Sequence, residues 1–169
     1  MVLSLAACVP TRTYVGEVEG TDAVVGLVTG DGVGRLYLCG GPTTMSALNQ
    51  WFELAVDGDT AAGWAEGWTV FATGPDPWAG ELMDPTGASW NFTAEAGVEG
   101  AGPYEAKSPV GECPAGAVVL DAHTLRGVAC PTALVPAQVV PVGVLRPGGR
   151  VAVRTDDGAL SFVVEPAAP

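Results

Sequence analysis

The sequence predicts an all-β protein, and three observations carry that reading. The apolar residues are chiefly Val, Ala and Leu, with no Ile at all, and β-branched Val suits a pleated surface. Gly (24) and Pro (14) are frequent enough to interrupt any long helix. Short apolar stretches alternate with tight turn signals, the spacing of a sandwich or barrel. With 169 residues, 48% of them hydrophobic, the chain can bury one sizeable core or two small ones. The expected organisation is a tether over 1–10, a small antiparallel barrel or sandwich over 11–106, and a small β meander over 112–169.

The elements follow in order. Tyr14–Glu19 and Ala23–Thr29 flank the turn Gly20-Thr21-Asp22, and Asp31-Gly32 leads into the alternating Arg35–Cys39. Thr44–Gln50 is the one stretch with the character of a short helix. Asp57-Gly58-Asp59 begins like a calcium loop, but Ala61 and Ala62 stand where oxygen ligands should follow, so a turn is expected. Trp78, Gly80 and Leu82 share a face before the turn Pro85-Thr86-Gly87. Trp90, Phe92 and Ala94 then alternate with Ser89, Asn91 and Thr93. Beyond Pro109, Gly116–Asp121 and Thr124–Ala129 make a hairpin. Pro131 to Pro141 reads as a connection. Val142–Arg146, Arg150–Thr155 and Leu160–Glu165, joined by Pro147-Gly148-Gly149 and Asp156-Asp157-Gly158, make the meander.

Near the N-terminus, Leu5-Ala6-Ala7-Cys8 is followed by the polar Pro10-Thr11-Arg12-Thr13. This stretch resembles the lipobox of bacterial lipoproteins, in which small residues fit the signal peptidase and the cysteine thiol takes the lipid. The resemblance implies lipidation at Cys8 and a membrane partner through that anchor. It also implies an extracytoplasmic location, at the outer membrane where the cell has one, since Val9 rather than Asp follows the cysteine. Seven residues, none basic, precede Cys8, fewer than a secretory signal uses, so the full signal is expected to begin upstream. The competing reading is an ordinary first strand.

Charge narrows the partners. The net charge is −12, and Lys107 is the only lysine. Nucleic acid is not expected, because phosphate binding needs Lys and Arg to displace counterions. Residues 13–106 hold 14 acids against Arg35 alone, whereas 107–169 hold five of each sign. That step suggests two units or two unlike surfaces. No apolar run reaches the ~18 residues of a membrane-spanning helix.

No motif names a reaction, and no cofactor or metal is expected. His123 is the only histidine, and Ser46, Ser89, Ser108 and Ser161 all lack a nucleophile elbow. Asp121-Ala122-His123 reads as a turn. Paired carboxylates in the acidic half could serve glycosidic chemistry, which keeps an extracytoplasmic hydrolase as the alternative function. Trp51, Trp64, Trp68, Trp78 and Trp90 fall within forty residues. They are either an aromatic platform for a ligand or the filling of a barrel that lacks Ile. Core is the expectation, with one or two rings exposed. With Cys8 lipidated, Cys113 and Cys130 flank the 116–129 hairpin, whose ends return close together. A disulfide between them is expected if the protein is exported, leaving Cys39 as a buried thiol.

Gly20-Thr21-Asp22-Ala23, Tyr37-Leu38-Cys39-Gly40, Trp51-Phe52, Pro85-Thr86-Gly87, Phe92-Thr93-Ala94 and Gly102-Pro103-Tyr104 together resemble a β-rich domain of uncharacterised bacterial envelope proteins. Val119-Leu120 and Arg126-Gly127 are similar to a segment that follows it. The resemblance implies β structure and an envelope location, without an activity. The expected function is a non-catalytic binding or interaction module tethered through Cys8; a structural subunit of an assembly is the third reading.

Overall fold

The computed structural model describes residues 10–107, 110–132 and 135–169. Cys8 and the lipobox lie outside the described residues. The chain is all-β, as expected, and forms two closed antiparallel barrels.

The first barrel runs through β1 (Arg12–Val18), β2 (Val24–Thr29), β3 (Val33–Cys39), β4 (Asn49–Asp57), β5 (Thr60–Ala65), β6 (Trp68–Thr73), β7 (Trp78–Met83) and β8 (Ser89–Ala96). Each strand pairs with the next, and β8 returns to β1 through Val15↔Glu95 and Gly16↔Ala94. Two-residue loops make this up-and-down path possible. Asp57 pairs with Thr60 across Gly58-Asp59, and Ala65 pairs with Trp68 across Glu66-Gly67. Glu66 (φ 52°) and Gly67 (φ 86°) both take the left-handed conformation, the geometry that matches the twist of the flanking strands. Asp57-Gly58-Asp59 is thus the expected turn. Thr44–Gln50, read as a short helix, is instead hydrogen-bonded turns, with Met45 N donating to Gly41 O and Leu48 N to Thr44 O, followed by Asn49 and Gln50 as the first residues of β4.

Alternation fills the interior. Tyr14, Leu27, Leu36, Leu38, Phe52, Leu54, Leu82, Phe92 and Ala94 point inward and are buried. Bulky rings close both ends. Trp68 and Trp90 follow the β5–β6 and β7–β8 turns at one mouth, stacked at 5.9 Å, with Phe52 edge-on to Trp68. Trp78 and Tyr14 meet edge-to-face at the other. Each fully buried apolar side chain, such as Phe52, Leu82 and Phe92, contributes about 1.5–3 kcal/mol through the water it excludes.

The second barrel comprises β9 (Gly102–Ala106), β10 (Gly116–Val119), β11 (Leu125–Thr132), β12 (Val135–Pro141), β13 (Val151–Thr155) and β14 (Ser161–Pro166). Its strand order is β10-β11-β12-β13-β14-β9, closed on itself, so the expected meander is part of a barrel. Three sequence expectations differ from this arrangement. Gly102–Ala106, assigned to the acidic unit, pairs with β10 and β14 and closes the second barrel, where Tyr104 joins the core. The supposed Pro131–Pro141 connection contains β12, with Ala137 and Val139 facing inward, because prolines at strand ends leave the intervening ladder intact. Val142–Arg146 is the loop: Gly143 turns the chain at φ 81°, Leu145 anchors it in the core and Val144 is exposed.

The barrels pack side against side. All residues of β2 and β10 are buried, because each has its own core on one face and the other barrel on the opposite face. Val24, Tyr37 and Cys39 from the first barrel meet Val118 and Val128 from the second. Polar contacts frame this apolar seam. Arg35 donates a 2.6 Å bond to Glu105, Arg126 donates to the Asp22 carbonyl at 2.7 Å, and Gln138 reaches the Gly40 carbonyl at 3.2 Å. The charge step follows the architecture. Residues 10–101 carry 13 acids against Arg12 and Arg35, and residues 102–169 six acids against five bases.

Candidate functional site

Closure removes free strand edges from both barrels, so neither offers an edge for an added strand. Most of the tryptophans are committed to structure. Trp78 is buried in the barrel, and Trp68 and Trp90 are partly buried at its mouth. Trp51 lies at the junction, stacked on Tyr37 at 4.5 Å with the Arg35 guanidinium 4.6 Å from its ring centre. Trp64 differs: it is 75% exposed. The five rings therefore do not form one platform, and Trp64 is the ring left outside.

Register gives Trp64 apolar company. One cross-strand row reads Glu53, Trp64, Thr69, Met83 over β4–β7. The next reads Val33, Ala55, Ala62, Phe71, Glu81 over β3–β7. Phe71 (55%), Val33 (49%) and Met83 (40%) are exposed on this same outer face. Phe71, Met83 and Val33 had not been singled out in the sequence. Their signal was phase: in Trp68–Thr73 the inward residues are Val70 and Ala72, so Phe71 must face outward.

Beside this face, a shallow trough crosses β6, β7, β8 and β1. Its first part, about 350 Å³, runs from Phe71 over Ala79 to Thr93 and Glu19. Its second, about 540 Å³, continues over Glu17 and Glu95 to Leu120 of the second barrel. The two parts share Glu19 and Thr93. The small Ala79, Gly80 and Thr93 are among the residues that line it. Among the described residues, Glu17, Glu19, Glu81 and Glu95 have no cationic partner, and no Lys or Arg occurs between Arg35 and Lys107.

Other carboxylates are turn-builders. Asp22 accepts from Thr44 Oγ1 at 2.5 Å and from Thr43 N and Oγ1 at 2.7 Å. These bonds, that from Thr44 first, bring its pKa down to about 2. Asp121 accepts from the backbone of His123 and Thr124, which lowers its pKa and makes Asp121-Ala122-His123 the expected turn. Asp84 and Asp157 are lowered in the same manner, chiefly by Thr86 and Thr155.

The disulfide joins Cys113 to Cys130 with Cα atoms 5.4 Å apart, as the hairpin reading expected. Asn49 Nδ2 lies 3.4 Å from Cys113 Sγ and donates to Pro114 O at 3.1 Å, while its Oδ1 accepts from Tyr37 OH at 2.8 Å. The crosslink is thereby tied to the first barrel. Cys39 is buried and free, and burial pushes its thiol up to about 12. The chain matches no protein-family model, no curated protein and no solved structure.

Proposed function

We propose that this chain is a non-catalytic binding module of the cell envelope, held at the membrane by lipid on Cys8, which presents the outer sheet face around Trp64 to its partner. The exposure of Trp64, Phe71 and Met83 together on one face carries this reading. A barrel that uses rings to fill its interior and close its mouths has no internal need to display two more on its surface, and contiguous exposed apolar area marks interaction sites.

Two experiments test the two halves. Mass spectrometry of protein extracted from host membranes should find an N-terminal Cys8 bearing diacylglycerol; a soluble protein with an intact Met1 overturns the tether. A binding screen on the purified protein, using cell-wall glycan fragments, phospholipid vesicles and peptides, should yield saturable perturbation of amide resonances around Trp64 and Phe71. Binding confined to other surfaces, or turnover of a glycan abolished by one Asp or Glu substitution, overturns the binding reading.

A further inference from the structure

Resting on that binding reading, we infer that the partner of this face also occupies the trough beside it, which it enters at Phe71, as an extended polypeptide segment alternating basic and apolar side chains and running from Phe71 to Leu120. Shape, charge and backbone chemistry each restrict the ligand. The trough crosses four strands, and neighbouring strands lie ~4.8 Å apart, so its span over β6–β1 is about 14 Å, the length of roughly four or five extended residues. It continues past β1 to Leu120, which lengthens the footprint. Apolar contacts stand at both ends, Phe71 at one and Val98 with Leu120 at the other.

Carboxylates line the path between those ends. Glu81 and Glu19 flank the Phe71 half, and Glu17 and Glu95 the Leu120 half. The first barrel's two cations, Arg12 and Arg35, do not line the trough, and Arg35 is paired with Glu53 and Glu105. An anionic membrane surface or a phosphorylated ligand would meet repulsion along the whole path. A ligand with lysines spaced along an extended backbone meets an acid at each step and places its apolar residues on Phe71 and Leu120. Such complementarity acts chiefly on encounter rate and specificity. Because the barrels are closed, the segment lies across the strands and is held by its side chains, without joining a sheet.

The test uses the full chain and two synthetic peptides of equal length, one alternating Lys with Leu and one alternating Glu with Leu. In ¹⁵N-resolved titrations the lysine peptide should shift amides of Glu19, Phe71, Glu81, Thr93 and Leu120 saturably, and the glutamate peptide should bind at least about tenfold more weakly. E81Q/E95Q should weaken the lysine peptide and reduce its dependence on salt, and F71S should weaken it without reducing that dependence. These positions are at the surface, and unchanged circular dichroism confirms that the variants fold. Equal binding of both peptides, or shifts on the second barrel alone, overturns the inference. Binding of a neutral glycan at Trp64 with neither peptide bound also overturns it, while leaving the binding module intact. Loss of every ligand from this face overturns both.

Discussion

Gly26 of the first barrel lies against Pro103 of the second, so close that a Cβ on Gly26 would stand 2.9 Å from the proline nitrogen. Gly116 makes the reciprocal approach, with space for a Cβ blocked by the Tyr37 and Trp51 rings at 2.9 Å. Two glycines on opposite walls thus let the barrels touch. Gly26→Val should force them apart and destabilise the protein by about 1–3 kcal/mol, the usual cost of overpacking. Urea unfolding of the variant and the parent measures this; an unchanged midpoint would mean the seam is loose.

Much of this arrangement was legible beforehand, though its key was not. Trp90, Phe92 and Ala94 announced a half-buried strand through alternation, and β8 has that pattern. Val24–Thr29 is a near-continuous apolar run, which signals burial on both faces, but nothing in it names the partner surface. Gly102-Pro103-Tyr104 pairs within the second barrel because Tyr104 is buried there. Its hydroxyl donates to Gly100 O and accepts from Gly148 N. Such a contact over forty-four residues leaves no local trace. Trp64 and Trp68 both sit beside turn residues, and only the register of Ala65 with Trp68 separates the outward ring from the inward one.

Asp22 ties three segments together: its own turn, the Thr43-Thr44 loop through its carboxylate, and β11 through its carbonyl bond from Arg126. Its folded pKa of about 2 lies below the unfolded value of about 3.9. The folded state therefore favours the ionised form. This stabilisation is complete above the unfolded pKa and is lost as pH falls through that value toward the folded one. Asp84, Asp121 and Asp157 act in the same direction. Urea midpoints should fall between pH ~5 and ~2, and Asp22→Asn should both lower the neutral-pH midpoint and flatten the acid limb. An unaltered limb would assign the acid sensitivity to other groups.

Cys39 should resist alkylation in the folded protein. Burial raises its pKa to about 12, so the reactive thiolate is scarce at neutral pH, and the side chain is closed off between the barrels. Iodoacetamide at mildly alkaline pH should label it only after denaturation. Rapid labelling of native protein would show that the barrels part readily.

Cys113–Cys130 closes a loop across a sequence separation of 17. In the chain-entropy account a loop of about this length contributes roughly 3 kcal/mol by restricting the unfolded chain. Cys113→Ser/Cys130→Ser should lose about that much in urea unfolding. Peptide mapping of exported protein without reductant should recover the 113–130 crosslink, with Cys39 free. A crosslink through Cys39 would contradict its place in the seam.

Trp78 and Trp64 give the sharpest contrast between ring as filling and ring as display. Trp78 is fully buried, edge-on to Tyr14, and packs so tightly that a Cβ on Gly74 would stand 2.4 Å from its ring. Trp78→Ala removes a large inward side chain where neighbouring strands cannot collapse, and should cost about 3–5 kcal/mol. Trp64 stands on the opposite face of the same sheet, exposed between Glu53 and Thr69. Truncating it uncovers no core, so Trp64→Ala should alter stability by no more than about 0.5 kcal/mol. Thermal or urea unfolding of the two variants decides between the roles. Equal, large losses would make Trp64 structural and remove the aromatic centre of the binding face; a loss confined to Trp78→Ala leaves that ring free for a partner.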